Sequence, residues 1–487
     1  MSTAKVDTPV PAYERMADEW KLPEDLTGGT IKMREASRTA SGGRYRGSYL
    51  PQHEHESANA YEERLFSTFL FPGYEEAIGG LSARPFSKAT TVNKEAPGQV
   101  HEWAKDVDNA GRDLSQFAHD VLRMGIHRGM AHLLPEFPNT GVLGRTIADD
   151  IRDGVRPHLV LIDPMDVIGW RLEKSRGKQR IIQLRVKETV TIPDGDWGEK
   201  DLKAIRVYQK TADGVVWELH VQPPESDEYV LLDEGTYSLP EIALSTFYTN
   251  RTAMMEACPS LGRLAEINLQ HWQSSSDHRG LFRFARAGVL FGAGIKQEEL
   301  GGTATVGNRL WLASDYQASL RWVEHEGRAL GASKADLDDL KADMAALSLR
   351  PLMRSRPGNA TATETAIDTA ETNASLLSWV RRAENAIAMA LKNAARFAGI
   401  ENANVSVDIC DDVGLDPSQN ADIETLMKLR SMGELTSPTF LSELRRRGLF
   451  SDAFDAEAES AALEVEEPLE LTAPMTDNMP GEAEEAA

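Results

Sequence analysis

Two short segments combine side chains that bind metal ions in other proteins. His53-Glu54-His55-Glu56 places two imidazoles two residues apart, whereas a zinc-binding helix places them four apart on one face. Asp408, Asp411 and Asp412 supply three carboxylates, but the glycine and final glutamate of a calcium loop are missing at the required spacing. We therefore interpret the first segment as a solvated polar loop, and we expect no metal at either segment.

Nucleotide binding and nucleophilic catalysis need motifs that this sequence lacks. A phosphate-binding loop requires G-x-x-x-x-G-K-[ST], and the nearest glycine cluster, GVLFGAGIK, separates Gly294 from Lys296 by one residue and follows a helical pattern. There is also no G-x-S-x-G nucleophile elbow. We therefore expect no catalytic residues, no cofactor and no enzymatic activity.

One basic segment could contact an anionic polymer. RPLMRSRPGNATATE contains Arg354 and Arg356, and it continues with Pro357, Gly358 and Asn359, which favour a turn. Arginines in such a loop contact phosphate groups in many DNA-binding proteins. The alternative is an exposed connector whose arginines pair with nearby acids.

The overall charge argues against tight binding of DNA. The chain carries a formal net charge of −23, and residues 451–487 contain 12 acidic residues and no lysine or arginine. Removing that tail leaves −11 on the other 450 residues. Because phosphate binding depends on lysine and arginine, this balance suits a surface along which DNA slides. The tail itself has the composition of a disordered segment.

Cysteine use and hydropathy favour a protein of a reducing compartment. Cys258 and Cys410 stand alone in the sequence, so they form neither a zinc motif nor a disulfide framework. The N-terminal residues lack the apolar centre of a signal peptide. No apolar run approaches the ~20 residues that span a bilayer.

The residue patterns divide the chain into regions. Residues 1–59 are polar and rich in Gly, Pro and Ser, which predicts an extended arm with short helices. Residues 60–257 combine helical spacing with short β-branched runs after Pro157, which predicts an α+β domain with antiparallel strands. A long Ala-rich helix is predicted from about 363 to 399, and two short helices joined at Gly433 follow it.

The most informative pattern is a small β module between two helices. Helical spacing covers about 260–286, and a Gly-rich strand-like stretch follows. Ser333 then looks like the N-cap of a second helix, in which Leu337, Leu340, Met344 and Leu347 repeat on one face.

Seven segments of the sequence, in their order, resemble a known family. The resemblance is to tailed-bacteriophage portal proteins (head–tail connectors), of a portal family long described as a domain of unknown function. It covers about residues 13–450 and departs from the family pattern at MAHLLPEFPNTG and at Ser348. The segments are Tyr61…Arg64, GGLSARPF (79–86), RPHLVLIDPMDVIGWR (156–171), LGRLAEINLQHWQSSSDHRG (261–280), VLFGAGI (289–295), Met344-Ala-Ala-Leu and TATETAIDTAETNASLLSWVRRAENAIAMAL (361–391).

The resemblance implies a portal fold with a wing, a two-helix stem, a β-containing clip, a tunnel loop, a long wing helix and a helical crown. It assigns these regions by residue number. They are the N-terminal arm (1–59), the wing (60–257), stem helix 1 (258–286), the clip (287–332), stem helix 2 (333–350), the tunnel loop (351–362), the long wing helix and strand (363–414), the crown (415–450) and the acidic tail (451–487).

The same resemblance implies roles for particular residues. Arg354, Arg356 and Asn359 would face DNA from the tunnel loop. The bases Arg279, Arg283, Arg286, Lys334 and Lys341 would face the lumen of the channel or a neighbouring subunit from the stem. The residues expected to dock a terminase or adaptor from the clip are Lys296, Glu298, Glu299, Arg309, Trp311 and Tyr316.

The function that the resemblance implies is a channel for DNA. A ring of about twelve copies with closed, heterologous contacts would occupy one capsid vertex of the virion, after assembly in the host cytoplasm. Double-stranded DNA would pass through it, and the large terminase subunit, the head–tail adaptor and the major capsid and scaffolding proteins would be its partners, with no membrane. Two alternatives are a DNA-acting hydrolase or nuclease, and a capsid or head–tail structural protein without a DNA channel.

Overall fold

The chain folds into a mixed α and β structure with two compact units. The computed structural model describes residues 5–38, 48–138, 149, 152–175, 177–237, 239–287, 289–293, 319–323, 328–348, 362–409, 420–446, 450 and 458–459. The first unit covers Met1–Val413 and the second covers Gly414–Ala487.

The helices of the first unit carry most of its core. They are α1 (Pro11–Thr27), α2 (Gly29–Arg38), α3 (Ala58–Ser67), α4 (Gly73–Ala83), α5 (Gly98–Trp103), α6 (Leu114–Arg128), α7 (Gly262–Ala287), α8 (Arg328–Leu347) and α9 (Ala362–Phe397), with a short 3-10 helix at Arg84–Ser87. The long Ala-rich helix predicted from about 363 to 399 is confirmed as α9.

The described strands of the first unit form five antiparallel sheets. They are β1 (Thr91–Val92), β2 (Met130–Glu136), β3 (His158–Ile162), β4 (Val167–Ser175), β5 (Lys178–Asp194), β6 (Gly198–Lys210), β7 (Val215–Val221), β8 (Val230–Tyr237), β9 (Ser245–Tyr248), β10 (Arg251–Ala253), β11 (Glu256–Ala257), β12 (Val289–Ala293), β13 (Ser319–Val323) and β14 (Val407–Asp408). Strand orders are β3-β2-β9 and β4-β5-β6-β7-β8, and β1-β14, β10-β11 and β12-β13 are pairs. The antiparallel strands expected after Pro157 are confirmed.

The main core lies between the three-stranded sheet and the helices. β2 packs on α6 and α9, and Phe117, Phe247 and Ile387 are fully buried there. His132 on β2 is also fully buried, and its Nδ1 lies 2.9 Å from Thr246 Oγ1. Burial lowers the pKa of His132 to about 3, because a charged imidazole loses its hydration there.

The N-terminal segment packs more closely than an extended arm would. The sequence predicted an extended arm with short helices for residues 1–59. Residues 11–38 do form two helices, α1 and α2, but they pack into the core instead of extending from it. Trp20 on α1 is fully buried, and its Nε1 donates a hydrogen bond to the carbonyl of Arg128 at 2.8 Å. Polar residues separate the apolar residues of this segment, so its composition resembles that of a loop. In the folded chain, however, the apolar residues lie on one face of the helices and pack into the core.

The second unit contains two described helices, α10 (Asn420–Ser431) and α11 (Ser437–Arg446). Gly433 lies between them with a φ of +77°, a left-handed conformation that glycine adopts without steric cost. The two short helices predicted around this glycine are confirmed, and the second opens at Ser437-Pro438 as expected.

Gly129 ends α6 at a point where no side chain fits. Its φ is +89°, and a Cβ built on it would lie 2.0 Å from the carbonyl oxygen of Cys258. Its own carbonyl accepts the backbone amides of Thr249 and Asn250. The α6 terminus, β9 and the segment before α7 therefore meet at this residue.

We expect Gly129→Ala to destabilise the protein by more than Gly154→Ala. Gly154 also has a positive φ, of +69°, but nothing lies within 4 Å of a Cβ there. The Gly154 change should cost about 1 kcal/mol, and overpacking at Gly129 should add about 1–3 kcal/mol. Denaturant unfolding of both variants measures the difference, and equal losses would contradict the proposed crowding.

Candidate functional site: a helix–hairpin–helix and its base

Four of the described elements, in chain order, form a helix, a pair of strands and a second helix, called here the helix–hairpin–helix; residues 288, 294–318 and 324–327 between them lie outside the described residues. α7 leads into β12, β13 follows, and α8 packs back against α7. β12 and β13 pair in antiparallel register, from Val289↔Val323 to Ala293↔Ser319. The β module predicted between two helices is confirmed. The strand pair lies between the C-terminal end of α7 and the N-terminal end of α8 in the chain.

The apolar repeat predicted on α8 is buried at three of its four positions, Leu337, Leu340 and Met344. The fourth, Leu347, is 38% exposed, because the helix ends there. Ser333, however, does not cap the helix as predicted, because α8 already begins at Arg328. The Ser333 hydroxyl instead lies 3.0 Å from His278 Nδ1 on α7, so a side chain expected to bond its own helix links the two helices.

Asn268 fixes α7 to the start of α4 from inside the core. Its side chain is fully buried. Its Nδ2 donates to the carbonyl of Phe71, and its Oδ1 accepts the amide of Tyr74, both at 2.9 Å. The Tyr74 amide belongs to the first turn of α4, whose N–H groups lack partners within the helix. The Asn268 side chain therefore supplies a hydrogen-bond partner both to the first turn of α4 and to the loop before it.

His271 and Trp272 continue this buried face of α7 without polar partners. His271 is 4% exposed and Trp272 is fully buried, and neither imidazole nitrogen nor the indole nitrogen has a hydrogen bond. Burial lowers the pKa of His271 to about 4, and the charge of Lys341 acts in the same direction. His271 is therefore neutral at pH 7 and packs as an apolar ring, 5.3 Å from the ring of Phe71.

The segment His53-Glu54-His55-Glu56 is bonded to the base of the helix pair. Glu56 forms two hydrogen bonds with Arg64, at 2.7 and 2.8 Å, and both side chains are largely buried. Arg64 also lies 3.4 Å from the hydroxyl of Ser276 on α7. The prediction of a solvated loop is therefore wrong for Glu56, whose carboxylate is hydrogen-bonded to Arg64 and largely buried. Within the described part of the chain, no three His, Cys, Asp or Glu side chains cluster as metal ligands would.

Three of the five basic residues predicted on the stem have partners within this chain. Arg279 lies over the ring of Phe69 at 4.9 Å, and Arg283 pairs with Glu63 at 3.0 Å on the surface. Lys341 lies over the ring of Phe71 at 5.5 Å. Lys334 is exposed on α8, and Arg286 belongs to α7 but its side chain lies outside the described residues. Three of the predicted bases thus help to hold α7 and α8 on the α3–α4 segment.

The other predicted site residues lie outside the described residues. These are Arg354, Arg356 and Asn359 of the predicted tunnel loop, and Lys296, Glu298, Glu299, Arg309, Trp311 and Tyr316 of the predicted clip. Of the carboxylates considered for calcium, Asp408 pairs with Thr91 between β14 and β1, and Asp411 and Asp412 lie outside the described residues.

A charged cluster at the end of α6 was missed by the sequence interpretation. Arg128 is buried, and its Nη2 donates to Glu24 at 2.6 Å and to Asp163 at 3.2 Å. His127 lies 3.3 Å from the same Glu24 carboxylate. The hydrogen bond from His127, together with the charge of Arg128, lowers the pKa of Glu24 to about 2. The sequence does show two adjacent basic residues, His127 and Arg128, at the end of an amphipathic helix. Their acidic partners could not be identified, because Glu24 and Asp163 are distant in the sequence.

A cleft lies beside the first turn of α7. Its volume is about 460 Å³, and its lining includes Pro23, Cys258, Ser260, Arg263 and Leu347. The carboxylates of Glu19 and Glu266 and the amide of Asn250 also line this cleft.

Comparison with known proteins places the helix–hairpin–helix inside one family model. Residues 260–398, less than a third of the chain, match a domain of unknown function, DUF4055. No curated protein matches the chain. A chain of the virion of a native gene transfer agent (GTA) particle matches with a TM-score of 0.41 and 13% identity, over 86% of this chain and 99% of that chain. Among the described residues, no helix has both the length and the apolar character to cross a membrane.

We expect His271→Leu to weaken the dependence of stability on acid pH. The folded-state pKa of about 4 lies below the ordinary 6.5, so the unfolded chain binds a proton first as the pH falls. The parent protein therefore loses stability from this group between pH 6.5 and 4, by about 3 kcal/mol. The variant lacks that loss, and at pH 7 it should be at least as stable because two unpaired buried nitrogens are gone.

Denaturant unfolding at pH 7 and pH 4.5 measures this effect as a difference between variant and parent. His132 is present in both proteins, so its own contribution cancels. His55→Leu is the matched control, because His55 is exposed. The same loss of stability on acidification in the parent and in His271→Leu would show that the buried imidazole is not responsible.

Proposed function

We propose that this chain is the portal protein, or head–tail connector, of a tailed bacteriophage. About twelve copies would form a closed ring of heterologous contacts through which double-stranded DNA enters and leaves the capsid. The observation that carries the proposal is the helix–hairpin–helix of α7, β12, β13 and α8. It lies where the segments resembling portal proteins assign a stem and clip.

In this proposal α7 and α8 are the stem and the β12–β13 pair is the base of the clip. The sheets and helices between residues 60 and 257 form the wing, and α9 is the long wing helix. The terminase and later the head–tail adaptor would dock on the clip. The protein would itself catalyse no reaction, and the energy for packaging would come from the terminase.

The attachment of α7 suits a channel wall that must stay rigid. Asn268, His271 and Trp272 are buried at its base, and the Ser333–His278 contact joins α8 to it. Close-packed protein interiors resist compression, so a helix whose base is buried in this way moves together with the elements it packs against. The stem would therefore keep its angle to the wing while DNA moves past.

The charge arrangement suits DNA that slides. Arg279 and Arg283 already contact Phe69 and Glu63, which leaves them less available to phosphates. On α8 the exposed residues include Asp336, Asp338 and Asp343. Their repulsion of a phosphate backbone reaches ~8 Å at physiological salt. Phosphate contacts in the channel would then fall mainly to Arg354 and Arg356.

The first prediction of the proposal concerns the purified full-length chain. Its mass in solution should be near twelve times the 53.7 kDa of one chain, and negative-stain images should show rings with a central opening. Native mass spectrometry and class averages measure both. A monomer that cleaves plasmid DNA with a divalent cation would support a nuclease instead, and a closed assembly without an opening would support a structural head protein.

A second prediction concerns the segment with Arg354 and Arg356. The double variant Arg354→Ala/Arg356→Ala should form normal rings, while capsids carrying it retain several-fold less DNA, because the phosphate contacts are lost. Complementation of a phage that lacks its portal gene, followed by quantification of DNA per particle, measures this. Arg15→Ala/Arg152→Ala is the control, since both side chains are about two-thirds exposed outside the stem. Normal DNA retention in the loop variant would refute this role.

A further inference from the structure

The five-stranded sheet ends in an edge strand with unusual exposure. Among the described strands, β8 has one hydrogen-bonded neighbour, β7. Val230, Leu231 and Leu232 follow one another on β8 and are 48%, 51% and 54% exposed. Leu232 lies at a register shift, between Leu231, which is opposite His220, and Asp233, which is opposite Leu219, and all three apolar side chains are exposed at this edge. Long apolar edge strands of this kind pair with another chain unless they are blocked.

The β8 edge is held in place by the rest of the fold. A Cβ on Gly235 would lie 2.7 Å from the indole of Trp217, so the strand lies directly on that ring. Tyr237, at the end of β8, packs edge-on against Phe397 of α9 with ring centroids 5.0 Å apart. The edge is therefore preformed, and a partner would bind it without first ordering it.

The two edges of the sheet carry opposite charge. Around β8, residues 222–237 contain five acids and no lysine or arginine: Glu225, Asp227, Glu228, Asp233 and Glu234. The other edge is β4 with the turn that follows it, where Arg171, Lys174 and Lys178 are exposed and Glu173 is the one acid from Val167 to Arg180. Among the described residues, Val10 covers the start of β4, where its amide donates a hydrogen bond to the carbonyl of Ile168.

Strand direction decides how two such sheets can join. Five antiparallel strands make β4 and β8 run in the same direction. A second copy that continues the sheet in the same orientation therefore places its β4 parallel to β8 of the first. A twofold contact of β8 with β8 would oppose five acids to five acids, and like charges across a strand pair are destabilising. The charge pattern thus favours the heterologous contact.

We propose that the acidic, apolar β8 edge of one copy docks on the basic β4 edge of a second copy, so that the sheets continue from one subunit to the next. The inference rests on the proposed function, since it supplies a side-to-side contact of the ring. A contact that joins two different surfaces closes into a ring when its rotation allows, as the portal role requires.

Charge reversal tests this contact. Asp233→Lys/Glu234→Lys and Lys174→Glu/Lys178→Glu should each lose the ring and sediment as small species, because each variant opposes like charges across the interface. An equal mixture of the two variants should recover the ring with alternating subunits, since both of its interfaces then pair opposite charges. Lys94→Glu/Lys105→Glu is the matched control, since both lysines are exposed and lie outside this sheet, and it should keep the ring.

The outcomes separate the inference from the proposed function. If the parent forms a ring and both reversed variants keep it, the edge contact is refuted and the portal role stands. If the parent is a monomer, both are refuted. If Asp233→Lys/Glu234→Lys disrupts assembly while Lys174→Glu/Lys178→Glu does not, β8 meets a different surface and the inference fails.

Zero-length carbodiimide crosslinking of the unaltered protein gives a second measurement that does not depend on folding of a variant. β4 and β8 of one copy lie four strand spacings apart, roughly 19 Å, too far for such a link. Peptides joining residues 223–237 to residues 171–180 should therefore appear only between copies, which mixed light and heavy isotope labelling verifies. Absence of these peptides from crosslinked rings would overturn the contact.

Discussion

The buried side chain of Asn268 is the constraint on which the helix–hairpin–helix depends. It bonds the Phe71 carbonyl and the Tyr74 amide, and both groups lie where α4 begins. Leaving a buried backbone group without a partner costs about 1–3 kcal/mol, so α7 can occupy its position only with this residue facing α4. The neighbouring His271 and Trp272 then enter an apolar space that water does not reach, and α8 closes that space with Met344 near Gly73.

Regular patterns were the part of the fold that the sequence could predict. The repeat of Leu337, Leu340, Met344 and Leu347 depends only on helical periodicity, and the first three are buried as expected, whereas Leu347 at the end of α8 is 38% exposed. The β-branched runs after Pro157 likewise form β3 to β8. These features are local, since each depends on residues a few positions apart, and local spacing is what a single sequence displays directly.

Contacts between segments distant in the chain could not be predicted from the sequence. Ser333 has the residue type of a helix cap, yet its hydroxyl bonds His278, 55 residues away. Glu56 belongs to a motif that looks solvated, yet it neutralises Arg64 against α7. Arg128 and Glu24 are 104 residues apart. In each case a polar residue has several possible partners, and only the tertiary packing selects one. For the same reason, the basic residues of α7 and α8 could be identified from the sequence, whereas their aromatic and acidic partners could not.

Polar groups and charges are divided between the interior and the periphery of the first unit. Near α7 the arginines are matched by Glu56, Glu63 or aromatic rings, which removes free charge from the base of the helix pair. On the five-stranded sheet the interior strands hold paired charges, such as Arg206 with Glu188, whereas the two edges differ in charge, with acids around β8 and basic residues around β4. A fold that only had to be stable would gain from blocking an apolar edge such as Val230–Leu232 with lysine or proline. Retaining that edge, with the complementary charge on the opposite side of the same sheet, is consistent with a chain whose stability and function are completed by contact with copies of itself.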